Sequence, residues 1–113
     1  KMVQMEAFLR PSALERVQDA LHSIGIVGMS VSEVRGFGRQ RGHREVYRGA
    51  EYQVDYIPKM KLEVAVKESD KDQVIEKISE AAKTGEVGDG KIFVVPISDA
   101  LRIRTGESGE VAL

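Results

Sequence analysis

The chain has 113 residues, a length that suits one domain able to bury roughly two-thirds of the surface its unfolded form exposes. It contains no cysteine, which excludes disulfides, thiol catalysis and zinc ribbons. Its 17 basic and 18 acidic side chains leave a net charge of −1, which argues against a general nucleic-acid binder, whose affinity comes from neutralising many phosphates. No apolar run approaches the ~20 residues of a membrane span, so no membrane insertion is expected. No secretory leader pattern opens the chain; the expected residence is the cytoplasm, or an organelle after removal of a transit peptide.

Val3 to Leu9 (VQMEAFL) alternates apolar and polar residues as a strand does. Pro11 ends it and suits the first turn of a helix whose apolar face would be Leu14, Val17, Ala20, Leu21 and Ile24. Gly25 and Gly28 mark the exit, and Met29 to Val34 (MSVSEV) alternates again. The pattern then repeats. Met60 to Val66 (MKLEVAV) reads as a strand, Asp70 as the N-cap of a helix carrying Val74, Ile75, Ile78, Ala81 and Ala82, and Ile92 to Ile97 (IFVVPI) as the last long strand. The order βαββαβ predicts an α+β, ferredoxin-like fold over residues 1–113: a four-stranded antiparallel sheet backed by two helices.

Between Val34 and Met60 lie about twenty-five residues with no sustained apolar period. Loops beyond about 12–15 residues are uncommon in compact domains and are usually functional or disordered. Four of the chain's six aromatic residues fall in this stretch, Tyr47 and Tyr52 among them, where no core pattern is readable.

Three short segments suggest anion binding. Gly85 to Lys91 (GEVGDGK) matches the first seven positions of a phosphate loop, in which backbone amides and a lysine surround a polyphosphate. Ile92 then replaces the metal-binding hydroxyl and a strand replaces the helix, so the segment reads equally as a glycine-rich turn between helix and strand. Leu101 to Gly106 (LRIRTG), if extended, would present Arg102 and Arg104 side by side to a phosphate chain while Leu101 and Ile103 face the protein. Gly36 to Gly42 (GFGRQRG) departs from a dinucleotide-binding turn but suits a basic loop whose backbone approaches an anion. His22 and His43 lack a third ligand at recognisable spacing, so no zinc site is expected.

Four stretches, VRGFGRQRGH from Val34, YRGAEY from Tyr47, TGEVGDGKIFVVP from Thr84 and IRTGE from Ile103, stand in an order and spacing that resembles the PII nitrogen-regulatory signal proteins over essentially the whole chain. The resemblance implies a homotrimer that binds ATP or ADP in three clefts between subunits. It implies phosphate contacts from Arg39, Lys91, Arg102 and Arg104 and from the backbone at Gly88, Asp89 and Gly90. Gly28, Ser30, Glu63 and Ala65 would line the adenine and ribose end, with Gly36, Phe37 and Gly38 beside them. With ATP, Mg²⁺ and 2-oxoglutarate join: Gln40 would be the single side-chain metal ligand, Lys59 the cation for the acid, and Gly38, Arg41 and Gly42 its wrapping. Ser30 stands where threonine is usual in the family and Ala65 where valine is common; the tail after Gly106 is short.

In the family the long loop, about 37–56 here, is the partner-binding arm. Tyr52 occupies the position at which many bacterial members are uridylylated or adenylylated by a nucleotidyltransferase. Ala50 replaces a serine phosphorylated in others. The resemblance thus implies a non-enzymatic sensor, with at most slow ATP turnover, that regulates nitrogen-metabolism enzymes, an ammonium channel, a sensor kinase or an arginine-pathway kinase. Two other classes share features of the sequence. An RNA-recognition module has the same βαββαβ order but carries exposed aromatics on its third strand, and KMKLEVAVK has none; a small phosphotransferase would turn ATP over.

Overall fold

The computed structural model describes residues 1–36, 44–47, 50–53 and 57–113, with only the backbone of 44–47 and 50–53. Strand β1 (Met2–Leu9) leads through a 3-10 turn (Pro11–Ala13) into helix α1 (Leu14–His22) and back along β2 (Ser30–Gly36). Strands β3 (Arg44–Tyr47) and β4 (Ala50–Gln53) follow, then β5 (Ile57–Lys67). A second 3-10 turn (Glu68–Asp70), helix α2 (Lys71–Ala82), β6 (Gly90–Ile97) and a last 3-10 turn (Gly109–Ala112) complete the chain.

The main sheet has the order β2-β5-β1-β6 and is antiparallel throughout, so the first strands of the two βαβ halves lie side by side at its centre. This is the expected ferredoxin-like fold. Alternation decides which residues meet the helices. Val3, Met5, Ala7 and Leu9 of β1 and Leu62, Val64 and Val66 of β5 are buried against Ala13, Val17 and Leu21 and against Val74, Ile78 and Ala82 of α2.

Among the described residues the other face of the sheet carries no helix. Its centre is polar: Gln4 Nε2 donates to Glu63 Oε2 at 2.9 Å and to Glu6 Oε2 at 3.2 Å. Lys61 Nζ lies 3.8 Å from Glu63 and 5.7 Å from the centre of the Phe8 ring. Toward β6 it turns apolar, with Phe93 packed edge-on against Phe8 at 5.9 Å between ring centres and still half exposed. The aromatic pair of the open face is therefore on β1 and β6.

Three expectations need adjustment. β5 starts at Ile57, not Met60, because β2 continues to pair with it as far as Gly36 opposite Ile57. Within the long connection, β3 and β4 form an antiparallel pair with Glu45 opposite Tyr52 and Tyr47 opposite Ala50. Neither strand has an apolar alternation to reveal it; the pairing rests on backbone hydrogen bonds. Asp70 does precede α2, but its side chain caps nothing: the 3-10 turn before the helix already holds Asp70 at helical dihedrals (φ −95°, ψ −4°), so its carboxylate is not swung over the first turn as that of an extended N-cap is.

The register also fixes one glycine absolutely. Gly90, opposite Leu9, has φ +108°, and a Cβ there would lie 1.7 Å from the Phe8 carbonyl oxygen. Gly25 shares the left-handed backbone (φ +87°) in open space. Gly25→Ala should thus cost only the backbone strain, about 1–2 kcal/mol. Gly90→Ala must separate β6 from β1 and should cost several times as much. Equal losses in denaturant unfolding would show that the close approach to Phe8 is not what requires glycine.

Candidate functional site

The glycine-rich segment after α2 forms a turn whose backbone is left-handed at Gly85 (φ +90°), Gly88 (φ +102°) and Gly90. Such a chain has much conformational freedom to lose on folding. One carboxylate restrains it. Asp89 Oδ2 accepts the backbone N–H groups of Thr84 and Gly85, each at 2.8 Å, and its Oδ1 accepts the Thr84 hydroxyl and, at 3.3 Å, Arg10 Nε. The Thr84 hydroxyl also accepts the Glu86 amide at 3.1 Å. Arg10 follows the end of β1, and its Nη2 donates to the Val87 carbonyl at 2.6 Å. Lys59, across the sheet end on β5, donates to the Gly88 carbonyl.

These contacts set the protonation of both groups. The Thr84 hydroxyl and amide, with the Gly85 amide and Arg10, hold the Asp89 carboxyl well below the usual carboxylate range. The Lys59 ammonium is shifted down, first by desolvation and then by the positive charge of Arg10, with Asp89 partly offsetting both. Pairing brings Lys91 to the same end of the sheet, opposite Phe8. Three cationic side chains, Arg10, Lys59 and Lys91, therefore gather around this turn.

A second cluster lies farther along the sheet. Gly28, Ser30, Glu63 and Ala65, with Gln4 and Val64, line an open cleft of about 430 Å³. This is within the ~300–1,000 Å³ of small-molecule pockets. Ser30 is directly opposite Glu63, and the Gln4 amide and Lys61 hold the Glu63 carboxylate in place. All four sequence candidates for this end thus share one cleft. Gly36 lies at the end of β2 opposite Ile57. Phe37, Gly38, Arg39, Gln40, Arg41 and Gly42 lie outside the described residues, and of Tyr52 only the backbone, in β4, is described.

The C-terminal arginines depart from expectation. Residues 101–108 are not extended but close on themselves: Leu101 bridges to Ser108, the Arg102 amide donates to the Glu107 carbonyl at 2.8 Å, and the Gly106 amide returns to the Arg102 carbonyl at 2.8 Å. The left-handed Gly106 (φ +76°) permits the reversal. Arg102 braces this loop, donating from Nη1 to Glu107 Oε1 at 2.9 Å and from Nη2 to the Val111 carbonyl at 3.0 Å. Leu101 and Ile103 do not face the protein; they are 62% and 93% exposed.

The two arginines are also far from Lys91 within one chain. Lys91 is near the start of β6 and Arg102 lies beyond its end at Ile97. Six strand residues alone separate Lys91 from Ile97 by about 20 Å. One chain does not bring these predicted phosphate contacts together. Sequence reading also passed over Gln4, Arg10, Thr84 and the pairing role of Glu107. The signals were slight: a threonine five residues before Asp89, and an arginine whose closeness to the turn appears only once β1 is paired with β6.

A family model described as nitrogen regulatory protein P-II matches residues 2–107. The chain belongs to the P-II family. It is 56% identical over 112 residues to a P-II protein of Haemophilus influenzae, covering 99% of this chain and 100% of that protein. P-II of Azospirillum brasilense and GlnK of Escherichia coli K12 are each 53% identical over the same shares. Among solved structures, Arabidopsis thaliana PII bound to citrate superposes with a TM-score of 0.82 at 44% identity, covering 100% of this chain and 92% of the plant chain. The P-II proteins are regulators by name, and the shared fold extends through the C-terminal loop that holds Arg102 and Arg104.

The state of Asp89 has a defined pH signature. A carboxyl whose folded pKa is depressed contributes stability that is present above its unfolded value, 3.8, and is lost as pH falls through the lower folded value. The amide resonances of Thr84 and Gly85 should accordingly titrate with a midpoint below 3.8. A midpoint at or above that value would mean the carboxylate does not hold these amides.

Proposed function

We propose that this P-II protein is a trimeric, non-enzymatic sensor that binds ATP or ADP competitively in clefts shared by neighbouring subunits and reports 2-oxoglutarate through its long loop. The observation that carries the reading is the division of the cationic groups: Lys91, with the glycine turn, at one end of β6 and Arg102 and Arg104 beyond the other. A triphosphate is far shorter than that separation, so simultaneous contact with both sets requires a second copy of the chain. The helix-free sheet face, with Phe93 and Val95 exposed toward one edge, supplies apolar surface for such an assembly.

In this reading Gly28, Ser30, Glu63 and Ala65 hold the adenosine end, the Gly88–Gly90 backbone and Lys91 hold phosphates, and the arginines come from the neighbour. Gly36, Phe37, Gly38 and Arg39 complete the nucleotide site from the loop root. Mg²⁺ arrives with ATP, bound mainly by phosphate and oxoacid oxygens and by Gln40, since Mg²⁺ commonly keeps oxygen ligands that the protein does not supply. Among the described residues no three acidic or histidine side chains converge as a metal cage. Lys59 meets a carboxylate of the acid, and Gly38, Arg41 and Gly42 wrap it. The citrate on the Arabidopsis relative is a small polycarboxylate of related chemistry.

The output is regulation of nitrogen-metabolism enzymes, an ammonium channel or a kinase by the loop around Tyr52. Tyr52 is the position for nucleotidylation, which adds bulk and negative charge at a docking surface. No helix among the described residues is long and apolar enough to cross a membrane, and action in the cytoplasm is the natural setting for these partners.

Calorimetry should find ATP affinity weakened by about 1.5–3 kcal/mol in Lys91→Ala and in Arg104→Ala, the cost of a charge-assisted contact. Arg102 also ties its own loop shut, which makes Arg104 the cleaner probe. Mixed trimers of the two variants should recover a fraction of sites with wild-type affinity, because some clefts then pair an intact Lys91 with an intact Arg104. No recovery in verified mixed trimers would place both residues in one subunit's site. Binding of 2-oxoglutarate should require Mg²⁺ and ATP, and Gln40→Ala should abolish it with ADP binding retained. Tight binding of the acid without nucleotide would contradict the mechanism.

A further inference from the structure

We propose that Arg10 and the Asp89 carboxylate, with Thr84, are positioning residues for the phosphate cradle: they do not touch the nucleotide but turn the Gly88 amide toward it. The proposal rests on the nucleotide reading above and adds residues that it leaves without a role.

The Asp89 side chain is fully committed inside the turn. Its two oxygens accept from the Thr84 amide, the Gly85 amide, the Thr84 hydroxyl and Arg10. A carboxylate offers about four lone-pair positions, so none remains for a metal or a ribose hydroxyl. Its negative charge, which would repel a phosphate, is balanced at 3.3 Å by Arg10. The contribution of Asp89 to an anion site is therefore the shape it imposes on its own backbone.

That shape follows from peptide geometry. In a trans peptide the C=O and the N–H of the next residue point in opposite directions. Arg10 holds the Val87 carbonyl at 2.6 Å, so the Gly88 N–H must point away from Arg10; Lys59 holds the Gly88 carbonyl, so the Asp89 N–H must point away from Lys59. Each cation thus turns the amide that follows its carbonyl away from itself, and amides freed in this way from successive peptides can form a backbone anion nest. Among the described residues the Gly88 amide, the one the proposal turns toward the ligand, donates to no partner. Asp89 fixes Arg10 and Thr84 fixes Asp89, so the hydroxyl of Thr84 lies at the base of the chain of contacts.

The test compares ATP and adenosine binding, by calorimetry on the intact trimer, for Thr84→Val, Thr84→Ser and Asp89→Asn. Asp89→Asn places an amide donor against backbone donors, and Thr84→Val removes the hydroxyl. Each should weaken ATP about tenfold or more. Thr84→Ser keeps the hydroxyl and should stay within about twofold of wild type. Adenosine, which lacks phosphates, should bind all three variants as it binds wild type. A Thr84→Ser loss as large as that of Thr84→Val would overturn the proposal, as would unchanged ATP affinity in Asp89→Asn or a parallel loss of adenosine. Failure of the wild-type protein to bind ATP would instead overturn the nucleotide reading itself. The Gly88 amide resonance gives an independent readout: its shift on adding ATP should be large in wild type and Thr84→Ser and small in Thr84→Val.

Discussion

The antiparallel pairing of β6 with β1 constrains everything else in this molecule. It brings Gly90 so near the Phe8 carbonyl that no side chain fits, and so fixes where the glycine turn ends and where Lys91 begins. The same pairing carries the chain straight to the opposite end of the sheet before Arg102 and Arg104 appear. A rigid strand between two sets of cations is a ruler: one subunit does not bring Lys91 together with Arg102 and Arg104, and under the proposed function this makes assembly a condition of nucleotide binding. Under the proposed function, occupancy of a cleft and contact between subunits are thus parts of one equilibrium.

The turn itself must reconcile opposing demands. Left-handed glycines allow the backbone to approach an anion, yet they leave it with many alternatives in the unfolded chain. A ring of contacts through Asp89 removes those alternatives, and Arg10 offsets the charge that this device brings with it. Lys91 can then act as a cation toward a ligand, because the acidic residue two positions before it, Asp89, is occupied elsewhere. Arg102 is in the reverse condition, engaged by Glu107 and the tail, so any phosphate must compete with contacts already made.

Period-two and helical patterning made the main sheet and both helices legible: β1, β5, α1 and α2 each bury one apolar face, while β2 and β6, with only partly buried residues, still show alternating or continuous apolar positions. Where burial does not set the pattern, the sequence was silent or misleading. The β3–β4 pair, REVY against AEYQ, carries no apolar alternation to read. LRIRTG does alternate, but the Thr105-Gly106 reversal overrides that pattern, leaving Ile103 in solvent. Asp70 has the composition of a cap without its geometry. In the candidate site, Gly88, Asp89, Gly90 and Lys91 were recognised within a glycine-rich motif, whereas Arg10 and Gln4 were not, since their relation to the site exists only through strand pairing. The residues of the loop root, Phe37 to Gly42, lie outside the described part of the chain and stay sequence-level candidates.

Lys59 connects these regions. It lies on β5 opposite Val34, two residues after the strand begins at Ile57, and so near the point where the long connection rejoins the sheet. Its ammonium is partly desolvated, faces the charge of Arg10, and donates to the Gly88 carbonyl of the turn. An oxoacid that takes this ammonium for its own carboxylate gains an ion pair where the cation is poorly solvated, and it weakens the hold on the Gly88 carbonyl at the same time. The loop root and the phosphate turn would then share one cation and cannot both retain it fully. A ligand shifts a conformational equilibrium only through a difference in its contacts with the two states. The exchange of partners at Lys59 is one such difference and by itself opposes the phosphate turn, so under the proposed function the Mg²⁺ shared by ATP and the acid must supply the larger, favourable coupling between them.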